Sequence, residues 1–477
     1  MNLDMIIHGG YVITMEGEGT GIINCGAIGI KGNKIITVGE EQDVLKKHTA
    51  HRYIDATNKV VMPGLVDAHI HTSNAIVRGG SQDIPSGDWM FRGILPLLSL
   101  ATTEDLVKGS MLNIVEAVKT GTTTFGDFDV PMLDLISNHI KVGTRAVVSD
   151  MINELPQDVT VVEHGVLYPL DSTIGNIKLN NNTKLIEKYH NSSNGRIVCR
   201  YGPQAVDMCS VELLKEIKNL ADKNDVDIFL HVAQSPEETI QSVMRNGKRP
   251  IPLLEELGYL NNRLLAAHMT DATTEELKLV AHSGTSMALC SNSNVIIGGI
   301  LPPAQEFASF GGLVALGTDQ APGNNCNIMF NEMKVSALLH KYKNSDPTVF
   351  PAWKVLRMGT IESARALRLD DKVGSLKEGK LADIIILDLM EPTMSPVLED
   401  PIRNLIPNIV YSARGNEVKT VIIDGEVVVE NGNVLTVDET KIIMQANDAA
   451  KRISRNLKRS KWSADLPLAK WTSEDKY

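Results

Sequence analysis

The feature that most constrains the fold is an alternation of two hydrophobic periods between residues 63 and 365. Short runs rich in β-branched residues alternate there with longer stretches of helical period, such as TEDLVKGSMLNIVEAVKT and SVELLKEIKNLADKN. The runs that predict strands are LVDAHIH, GTTTFGDF, TRAVVSDMI, RIVCRYGPQA, VDIFLHVAQ, RLLAAHMT, TSMALCSNSN and GLVALGTDQAP. Eight βα units are the number that closes a parallel barrel, so the pattern predicts an α/β chain with a (β/α)8 TIM-like barrel.

A doubly wound open sheet is the alternative fold for the same alternation. No glycine-rich phosphate turn follows the first predicted strand, and polar residues stand at the C-terminal end of nearly every predicted strand. Active-site residues occupy that end of the strands in barrels. The barrel is therefore the favoured prediction.

The two ends of the chain differ from the middle. Residues 1–62 and 366–437 are rich in alternating β-branched residues and glycine turns, as in GAIGIKGNKIITVG and NEVKTVIIDGEVVVENG. We expect both ends to pair into one small β-sandwich, with the barrel at 63–365 and a helical tail at 438–477. The tail begins as a basic amphipathic helix, which is expected to dock on an acidic surface of this chain or of another subunit.

Composition limits the classes of function. A hydrophobic content of 43% with 22% charged residues is typical of a globular protein, and the net charge of −11 argues against a nucleic-acid surface. No secretory signal or apolar run long enough for a membrane span is visible, and the five cysteines are scattered. We expect a cytoplasmic homo-oligomer that binds a small molecule and neither nucleic acid nor membrane.

Five metal-binding or acid–base side chains stand at the ends of predicted strands. His69 and His71 end the first strand, His231 the fifth, His268 the sixth and Asp319 the eighth. Residues i and i+2 of a strand project to the same face, so His69 and His71 can bind one cation at ~2.0–2.1 Å. Three neutral imidazoles and a carboxylate then make a site for zinc or a similar divalent metal, with one position left for water.

Several motifs together resemble the amidohydrolase superfamily. They are VMPGLVDAHIH, FLHVAQSPEE, LLAAHMT, VALGTDQAPGNN and GSLKEGKLADIIILD. The resemblance is closest to the branch that contains atrazine chlorohydrolase and methylthioadenosine/S-adenosylhomocysteine deaminase, and it covers nearly the whole chain.

The resemblance implies a role for each of the five residues. His69, His71, His231 and Asp319 would be the metal ligands, and His268 would orient the metal-activated water together with Asp319. Binuclear relatives bridge two ions with a carboxylated lysine from the fourth strand, and RIVCRYGPQA contains no lysine. The implied cofactor is one divalent ion, zinc in first place, with iron, manganese and cobalt as alternatives.

Three positions depart from the pattern of the deaminases in this branch. Gln234 stands where a glutamate usually protonates the substrate ring, and an amide cannot act as a general acid. Gln204 stands where many relatives carry a histidine, and Cys290 where they carry another polar side chain. Gln204, Gln234 and Cys290 are therefore candidate substrate contacts, as is Trp89 in the segment SGDWMFRGILPLL, which resembles the pocket cap of the branch. Gln234 is also a candidate catalytic residue, together with Asp319 and His268.

These departures favour one reaction class over another. Hydrolysis of an amide, urea or carbamate C–N bond needs no second acid, because Asp319 with His268 can pass the water proton to the departing amine. The alternative is deamination or dehalogenation of a pyrimidine, purine or triazine, in which Gln234 only hydrogen-bonds the ring. A non-catalytic barrel scaffold is a further alternative, although the chain keeps the whole ligand set.

Two other segments have less specific interpretations. NELPQDVTVVEHGVLYPLDSTIG is long and polar after the third strand, so it is a candidate lid, and its His164 is expected to be exposed to solvent. Glu237 and Glu238 follow a Ser-Pro pair and are candidates to replace the missing acid. The favoured interpretation places them in the first turn of a helix, where they complement the helix dipole.

Overall fold

The structure is a computed structural model that describes residues 1–85, 88–156, 165–460 and 466–476. The strands are β1 (Asn2–Ile13), β2 (Ile22–Lys31), β3 (Lys34–Glu40), β4 (Thr49–Asp55), β5 (Lys59–Pro63), β6 (Leu65–His71), β7 (Thr122–Asp129), β8 (Arg145–Ile152), β9 (Ile197–Cys199), β10 (Gly202–Pro203), β11 (Ile228–Val232), β12 (Leu264–His268), β13 (Ser286–Leu289), β14 (Val314–Leu316), β15 (Asp319–Gln320), β16 (Ile384–Asp388), β17 (Val418–Ile423), β18 (Glu426–Glu430) and β19 (Asn433–Val434).

Most helices lie between the parallel strands, and two follow the last strand. They are α1 (Glu41–Lys47), α2 (Leu95–Leu98), α3 (Thr103–Lys119), α4 (Met132–Val142), α5 (Ser172–Tyr189), α6 (Ser192–Gly195), α7 (Val211–Asn224), α8 (Pro236–Asn246), α9 (Pro250–Glu256), α10 (Thr274–Ser283), α11 (Ser291–Gly298), α12 (Ala304–Ser309), α13 (Ala321–Asn324), α14 (Met329–Asn344), α15 (Ala352–Met358), α16 (Ile361–Ala366), α17 (Leu405–Pro407), α18 (Glu439–Arg459) and α19 (Pro467–Ser473).

Both chain ends contribute to one mixed sheet. Its strand order is β19-β18-β17-β16-β5-β1-β2-β3, and β4 pairs with β1. The junction is the antiparallel pair of β5 and β16, in which Pro63 lies opposite Ile384 and Lys59 opposite Asp388. The prediction that the two ends pair is confirmed, and the strands that were expected to form a sandwich are hydrogen-bonded into a single sheet of nine strands.

Each of the eight sequence runs that predicted a central strand contains a parallel strand in the structure. They form two sheets, one in the order β10-β8-β7-β6-β15 with β9 on β8, and one in the order β11-β12-β13-β14. Isolated bridges from Tyr201 to Ile228 and from Ala205 to His231 join the sheets on one side. On the other side, β14 runs into β15 through Gly317 and Thr318, and β15 pairs with β6.

The parallel strands are buried on both faces, as helices on the outside require. All seven residues of β6 are buried, although Asp67, His69 and His71 are polar or ionisable. Small and aromatic side chains fill the space between the strands, and this cluster includes Val66, Ala68, Phe128, Val147, Phe229, Leu265, Ala267, Ala288 and Ala315. The polar residues at the strand ends therefore stand on a rigid apolar base.

Polar caps determine where helices begin after the strands. Ser210, Ser235 and Thr273 each accept a backbone N–H three residues further along, at the start of α7, α8 and α10. Such caps typically stabilise a helix by about 1 kcal/mol. They also fix the short connections that carry the strand-end residues.

The basic C-terminal helix docks on its own chain. Ile442, Ala446 and Ile453 of α18 are buried, and Arg452 forms an ion pair with the buried Asp105 of α3. The predicted helix is therefore confirmed up to Arg459, and its acidic partner lies in the same subunit. No helix among residues 1–85, 88–156, 165–460 and 466–476 has the length and hydrophobicity to cross a membrane.

One buried arginine connects the mixed sheet to the parallel strands. Arg145 of β8 donates to Asp383 at 2.8 and 3.0 Å and to Asp424 at 3.2 Å. Its side chain is 1% exposed, so the pairing takes place away from water. Removing one member of such a network leaves uncompensated buried charge.

We predict that Arg145→Ala lowers the free energy of unfolding by about 3–5 kcal/mol, because two carboxylates lose their partner. The matched control is Lys248→Ala, since the Lys248–Glu256 pair is about half exposed and surface ion pairs contribute little to stability. Urea unfolding at pH 7 measures both. Equal losses in the two variants would contradict the prediction.

Candidate active site

The five side chains predicted to meet lie together at the C-terminal ends of the parallel strands. His69, His231 and His268 form one group of ligand atoms, and His69, His71 and Asp319 form another. Within each group the atoms all lie within 4.8 Å of one another, and all five residues are buried. The structure thus places the predicted metal ligands and the predicted water-orienting histidine in one cluster.

Hydrogen bonds decide which imidazole nitrogens are free. The Nδ1 atom of His71 contacts the carbonyl oxygen of Phe128, and the Nδ1 atom of His231 lies 2.6 Å from the carbonyl oxygen of Gln204. A carbonyl only accepts, so both Nδ1 atoms carry the proton and both Nε2 atoms are lone-pair nitrogens in the neutral rings. These Nε2 atoms are 3.4 Å apart. Two lone pairs therefore face each other unless a cation or a proton lies between them.

Two further atoms of the cluster make no hydrogen bond. His69 Nε2 and Asp319 Oδ1 are buried without a partner and lie 3.8 Å apart, whereas Asp319 Oδ2 accepts the Ser293 hydroxyl at 2.6 Å. One divalent ion would satisfy the free nitrogens and the free oxygen together. Imidazoles with a carboxylate are also a donor set that zinc uses in catalytic sites. The residues present therefore fit a divalent metal ion.

Burial controls the charge state of the cluster. Burial and the neighbouring imidazoles hold the pKa of His69 and of His231 well below the usual value, and burial also lowers the pKa of His268. Burial opposes the charged form of His71, but the Asp319 carboxylate, 3.2 Å from its Nε2, outweighs burial and raises its pKa. Burial likewise opposes ionisation of Asp319, and the surrounding histidines outweigh it and hold the pKa well below its usual range. Neutral imidazoles beside an anion are the form that binds a metal.

The backbone that carries Asp319 is held by close contacts. A Cβ atom at Gly317 would lie 2.8 Å from the Cβ and the carbonyl oxygen of His69, so only glycine permits this approach. Asp67 accepts the backbone N–H of Thr318 at 3.0 Å and its hydroxyl at 2.5 Å. Asp319 itself has φ +59°, a conformation that strains a residue with a side chain. These contacts keep the carboxylate in place against that strain.

A cavity of about 760 Å³ opens above the cluster. His71, His231, His268 and Asp319 line it. The rest of the wall combines other polar side chains, such as Asp129 and Asp207, with apolar and aromatic ones, among them Trp89, Phe91, Ile94, Leu95, Tyr168 and Met208. A cavity of this size accommodates a small organic molecule of several rings.

Three of the four predicted substrate contacts line this cavity, namely Trp89, Gln204 and Gln234. Trp89 is 3% exposed, and its indole N–H donates to the carbonyl oxygen of Ser81 at 2.9 Å. Cys290 is fully buried and is not among the lining residues, so the geometry gives no support for its direct contact with substrate.

Sequence analysis missed the buried carboxyl group of Asp207, and it assigned the second buried carboxyl group, that of Glu238, only to the first turn of a helix. Asp207 lines the cavity and is 2% exposed, and Glu238 is 1% exposed. One oxygen of each has no hydrogen-bond partner, namely Asp207 Oδ1 and Glu238 Oε1. Glu238 Oε2 accepts the backbone N–H of Gln234 at 2.7 Å. Burial raises the pKa of Asp207 to about 7, and burial with the nearby Asp207 raises the pKa of Glu238 well above its usual value. Burial therefore favours the protonated form of both carboxyl groups.

The remaining predicted segments are placed only in part. Glu237 and Glu238 do lie in the first turn of α8, as expected. In the candidate lid, residues 157–164 with His164 lie outside the described residues. In the described part of the segment, Tyr168 is held by a hydrogen bond from its backbone N–H to Gln241 Oε1 at 2.9 Å and by an edge contact with Phe91 at 5.2 Å between ring centres.

The sequence pattern of the Amidohydrolase family matches residues 60–428. The chain belongs to this family. It is 32% identical to a 5'-deoxyadenosine deaminase of Methanosarcina acetivorans over 94% of this chain and 98% of the relative. It is 33% identical to a 5-methylthioadenosine/S-adenosylhomocysteine deaminase of Pelotomaculum thermopropionicum over 94% of this chain and 99% of the relative. This amidohydrolase is thus a hydrolase of carbon–nitrogen bonds in small molecules.

Solved structures agree with the family assignment. An adenosine deaminase from Xanthomonas campestris with bound zinc superimposes with a TM-score of 0.87 at 26% identity, over 95% of this chain and 99% of that one. A zinc complex of atrazine chlorohydrolase from Arthrobacter aurescens superimposes with a TM-score of 0.79 at 22% identity, over 94% and 100% of the two chains. The second similarity concerns the fold alone.

We predict that His71→Asn lowers metal content at least about tenfold while the circular dichroism spectrum stays unchanged, because the residue stands at a strand end and not in the packed interior. The control is His282→Asn, a change at an exposed position of α10. Elemental analysis of the metal-loaded proteins after gel filtration measures the difference. Full metal content in His71→Asn would contradict the assignment of the site.

Proposed function

We propose that this amidohydrolase hydrolytically deaminates an adenine-type nucleoside with the help of one divalent metal ion, zinc in first place. The observation that carries the proposal is the buried Asp207 carboxyl in the same cavity as the histidine–aspartate cluster. Ring deamination needs an acid for the ring nitrogen as well as an activated water, and Asp207 can supply the acid that Gln234 cannot. The curated relatives named as deaminases of 5'-deoxyadenosine and methylthioadenosine support this choice.

The proposed architecture is a closed (β/α)8 barrel with an attached β domain. The two bridges near Tyr201 and Ala205 and the continuation of β14 into β15 support closure of the two parallel sheets into one barrel. We retain the division into residues 1–62 with 366–437, residues 63–365, and residues 438–477.

The proposed ligands of the ion are His69, His71, His231 and Asp319. When bound, the ion would lower the pKa of a water molecule and polarise the reacting carbon. Residues 196–205, which include β9 and β10, contain no lysine that could bridge a second ion. This absence supports one ion per chain.

The protein's own groups move the protons in the proposed reaction. Asp319, with His268 beside it, accepts one proton of the attacking water, whose oxygen bonds to the ring carbon that bears the amine. Asp207 donates a proton to the adjacent ring nitrogen. The amine then takes the proton held by Asp319, the C–N bond breaks, and ammonia leaves. The proton of the new hydroxyl group returns to Asp207, so the product is the ring carbonyl compound and the acid is restored.

A second candidate reaction is the hydrolysis of an amide, urea or carbamate, which sequence analysis placed first. Gln234 favours it, because a neutral amide at this position binds a carbonyl substrate without repelling the developing oxyanion. The presence of Asp207 and the names of the relatives move ring deamination ahead of it. A cytoplasmic location, a homo-oligomer and the absence of nucleic-acid or membrane partners remain part of the proposal.

We predict that the metal-loaded protein releases ammonia from 5'-deoxyadenosine or a related aminopurine nucleoside, whereas amides, ureas and carbamates of similar size are not cleaved. Gln234→Glu restores a carboxyl at the usual position and should raise kcat/KM on the nucleoside. On an amide, urea or carbamate the same change should slow the reaction, because the anion repels the oxyanion. Ammonia and substituted amine are measured separately on both proteins. Cleavage of an amide, urea or carbamate without any deamination would favour the second candidate.

We also predict a loss of deamination as pH rises through about 7, since burial raises the pKa of Asp207 to about 7 and the acid is active only while protonated. Asp207→Asn should lower kcat by about a hundredfold or more and remove this descending part of the pH profile. Glu237→Gln, at a less buried position of the same wall, is the control. A parent profile that does not descend above pH 7 would contradict the role of Asp207.

A further inference from the structure

Three polar side chains form a row in the cavity wall that the proposed reaction does not use. They are Lys178 of α5, Asn153 after β8 and Gln204 after β10, and all three line the cavity. Lys178 Nζ donates to Asn153 Oδ1 at 2.6 Å, and Asn153 Nδ2 donates to Gln204 Oε1 at 2.5 Å. The row ends beside His231, whose ring is bonded to the Gln204 carbonyl.

The orientation of the Asn153 amide follows from its two donors. The backbone N–H of Leu155 donates to Asn153 Oδ1 at 3.0 Å, and the lysine ammonium donates to the same atom. Neither donor can accept a hydrogen bond, so this end of the amide must be the oxygen. The other end, which faces Gln204, must be the NH2 group.

The orientation of the Gln204 amide follows in turn. The Asn153 NH2 group requires an acceptor opposite it, so Oε1 of Gln204 is turned towards Asn153. The Nε2 atom of Gln204 has no hydrogen-bond partner among the described residues, and the side chain lines the cavity. The backbone of Gln204 is also fixed, since its N–H donates to Ile152 at 2.8 Å and its carbonyl accepts the N–H of His231 at 3.2 Å.

Burying the ammonium group of a lysine at position 178 costs free energy, and a row with only a structural role would not require that charge. Burial lowers the pKa of Lys178, and among the described residues its side chain forms no ion pair and donates to Asn153 Oδ1. Its hydrogen bond to Asn153 therefore fixes which end of each amide in the row is the oxygen and which is the NH2 group. A neutral residue at 178 would leave only the Leu155 N–H to orient Asn153.

We propose that Lys178 and Asn153 are positioning residues that hold the Gln204 amide with its N–H directed into the cavity, and that the substrate presents an unprotonated ring nitrogen to that N–H. The inference rests on the proposed function, because it specifies how the nucleoside base is recognised. For an aminopurine, the ring nitrogens not adjacent to the reacting carbon are N3 and N7. The row therefore selects bases that carry an acceptor at one of these two positions.

The test measures binding, so that it does not depend on turnover. Calorimetry of the zinc-loaded protein compares purine riboside, which has no amine to lose, with its 3-deaza and 7-deaza analogues, in which one ring nitrogen is replaced by C–H. We expect one analogue to bind about tenfold or more weakly than purine riboside, because the Gln204 N–H is left unpaired. In Gln204→Leu this ratio should fall to about one.

Two variants test the row itself. In Asn153→Asp, the carboxylate can only accept hydrogen bonds, from Lys178, from the Leu155 N–H and from the Gln204 NH2 group. This change should turn the Gln204 oxygen towards the cavity and abolish or invert the tenfold preference for purine riboside. Lys178→Met should reduce the preference, whereas Lys178→Arg, which can still donate to Asn153, should retain it. Lys184→Met, on the exposed side of the same helix, is the control.

The outcomes separate the inference from the proposed function. A ring-nitrogen preference that disappears in Gln204→Leu and Asn153→Asp supports the inference, even if the parent releases no ammonia and the proposed function fails. Equal binding of purine riboside and both analogues, or no binding of any of them, overturns the inference even if ammonia is released. An unchanged preference in Asn153→Asp shows that the row does not orient Gln204 and also overturns it.

Discussion

The Nε2 atoms of His71 and His231 face each other at 3.4 Å, and this arrangement determines what the rest of the site can be. Backbone carbonyl groups of Phe128 and Gln204 hold the protons of both rings on Nδ1. Neither ring can turn its lone pair away without losing a buried hydrogen bond. The repulsion between the lone pairs is relieved by a positive charge between them. The cluster is therefore built for a cation, and the orphaned Asp319 oxygen supplies the balancing negative charge.

The chain maintains this arrangement at some cost in backbone strain. His268 and Asp319 both have positive φ, at +75° and +59°. Strain of about 1–3 kcal/mol per residue persists only where surrounding contacts fix the conformation. Gly317 allows the close approach to His69, and Asp67 holds Thr318 by two hydrogen bonds. The C-terminal helix adds support further out, since Ala446, Ala449 and Ile453 pack in the same apolar cluster as Trp89 of the cavity wall.

Period and spacing predicted the eight strands and the five clustered residues because those signals are local. The i, i+2 separation of His69 and His71 marks them as residues on one face of a strand. The ends of strands can be predicted from the change in hydrophobic period. Asp207 gave no such signal, and the position of Glu238 after Ser-Pro predicted only the first turn of a helix. They lie far apart in sequence, and only the docking of α8 against residues 206–208 makes each a buried neighbour of the other. The charge pattern of the tail likewise predicted a basic helix, but it did not predict the residue with which that helix pairs. In the sequence, the partner Asp105 has the pattern of an ordinary capping residue at the start of a helix.

Gln234 and the buried carboxyl pair are best understood together. A glutamate at position 234 would add a carboxyl group to a cavity wall that already contains Asp207 and Asp319, next to the buried Glu238 that accepts the residue 234 N–H. Like charges in such a place raise one another's pKa, and Glu238 already shows this effect from Asp207. With an amide at 234, the wall avoids a further buried carboxyl group next to the histidines, in addition to Asp129 and Asp207, which both line the cavity and whose pKa burial raises to about 7. Protonation by Asp207 would also require a fixed orientation of the base in the cavity. Gln204, whose N–H the Lys178–Asn153 row directs into the cavity, would provide that orientation.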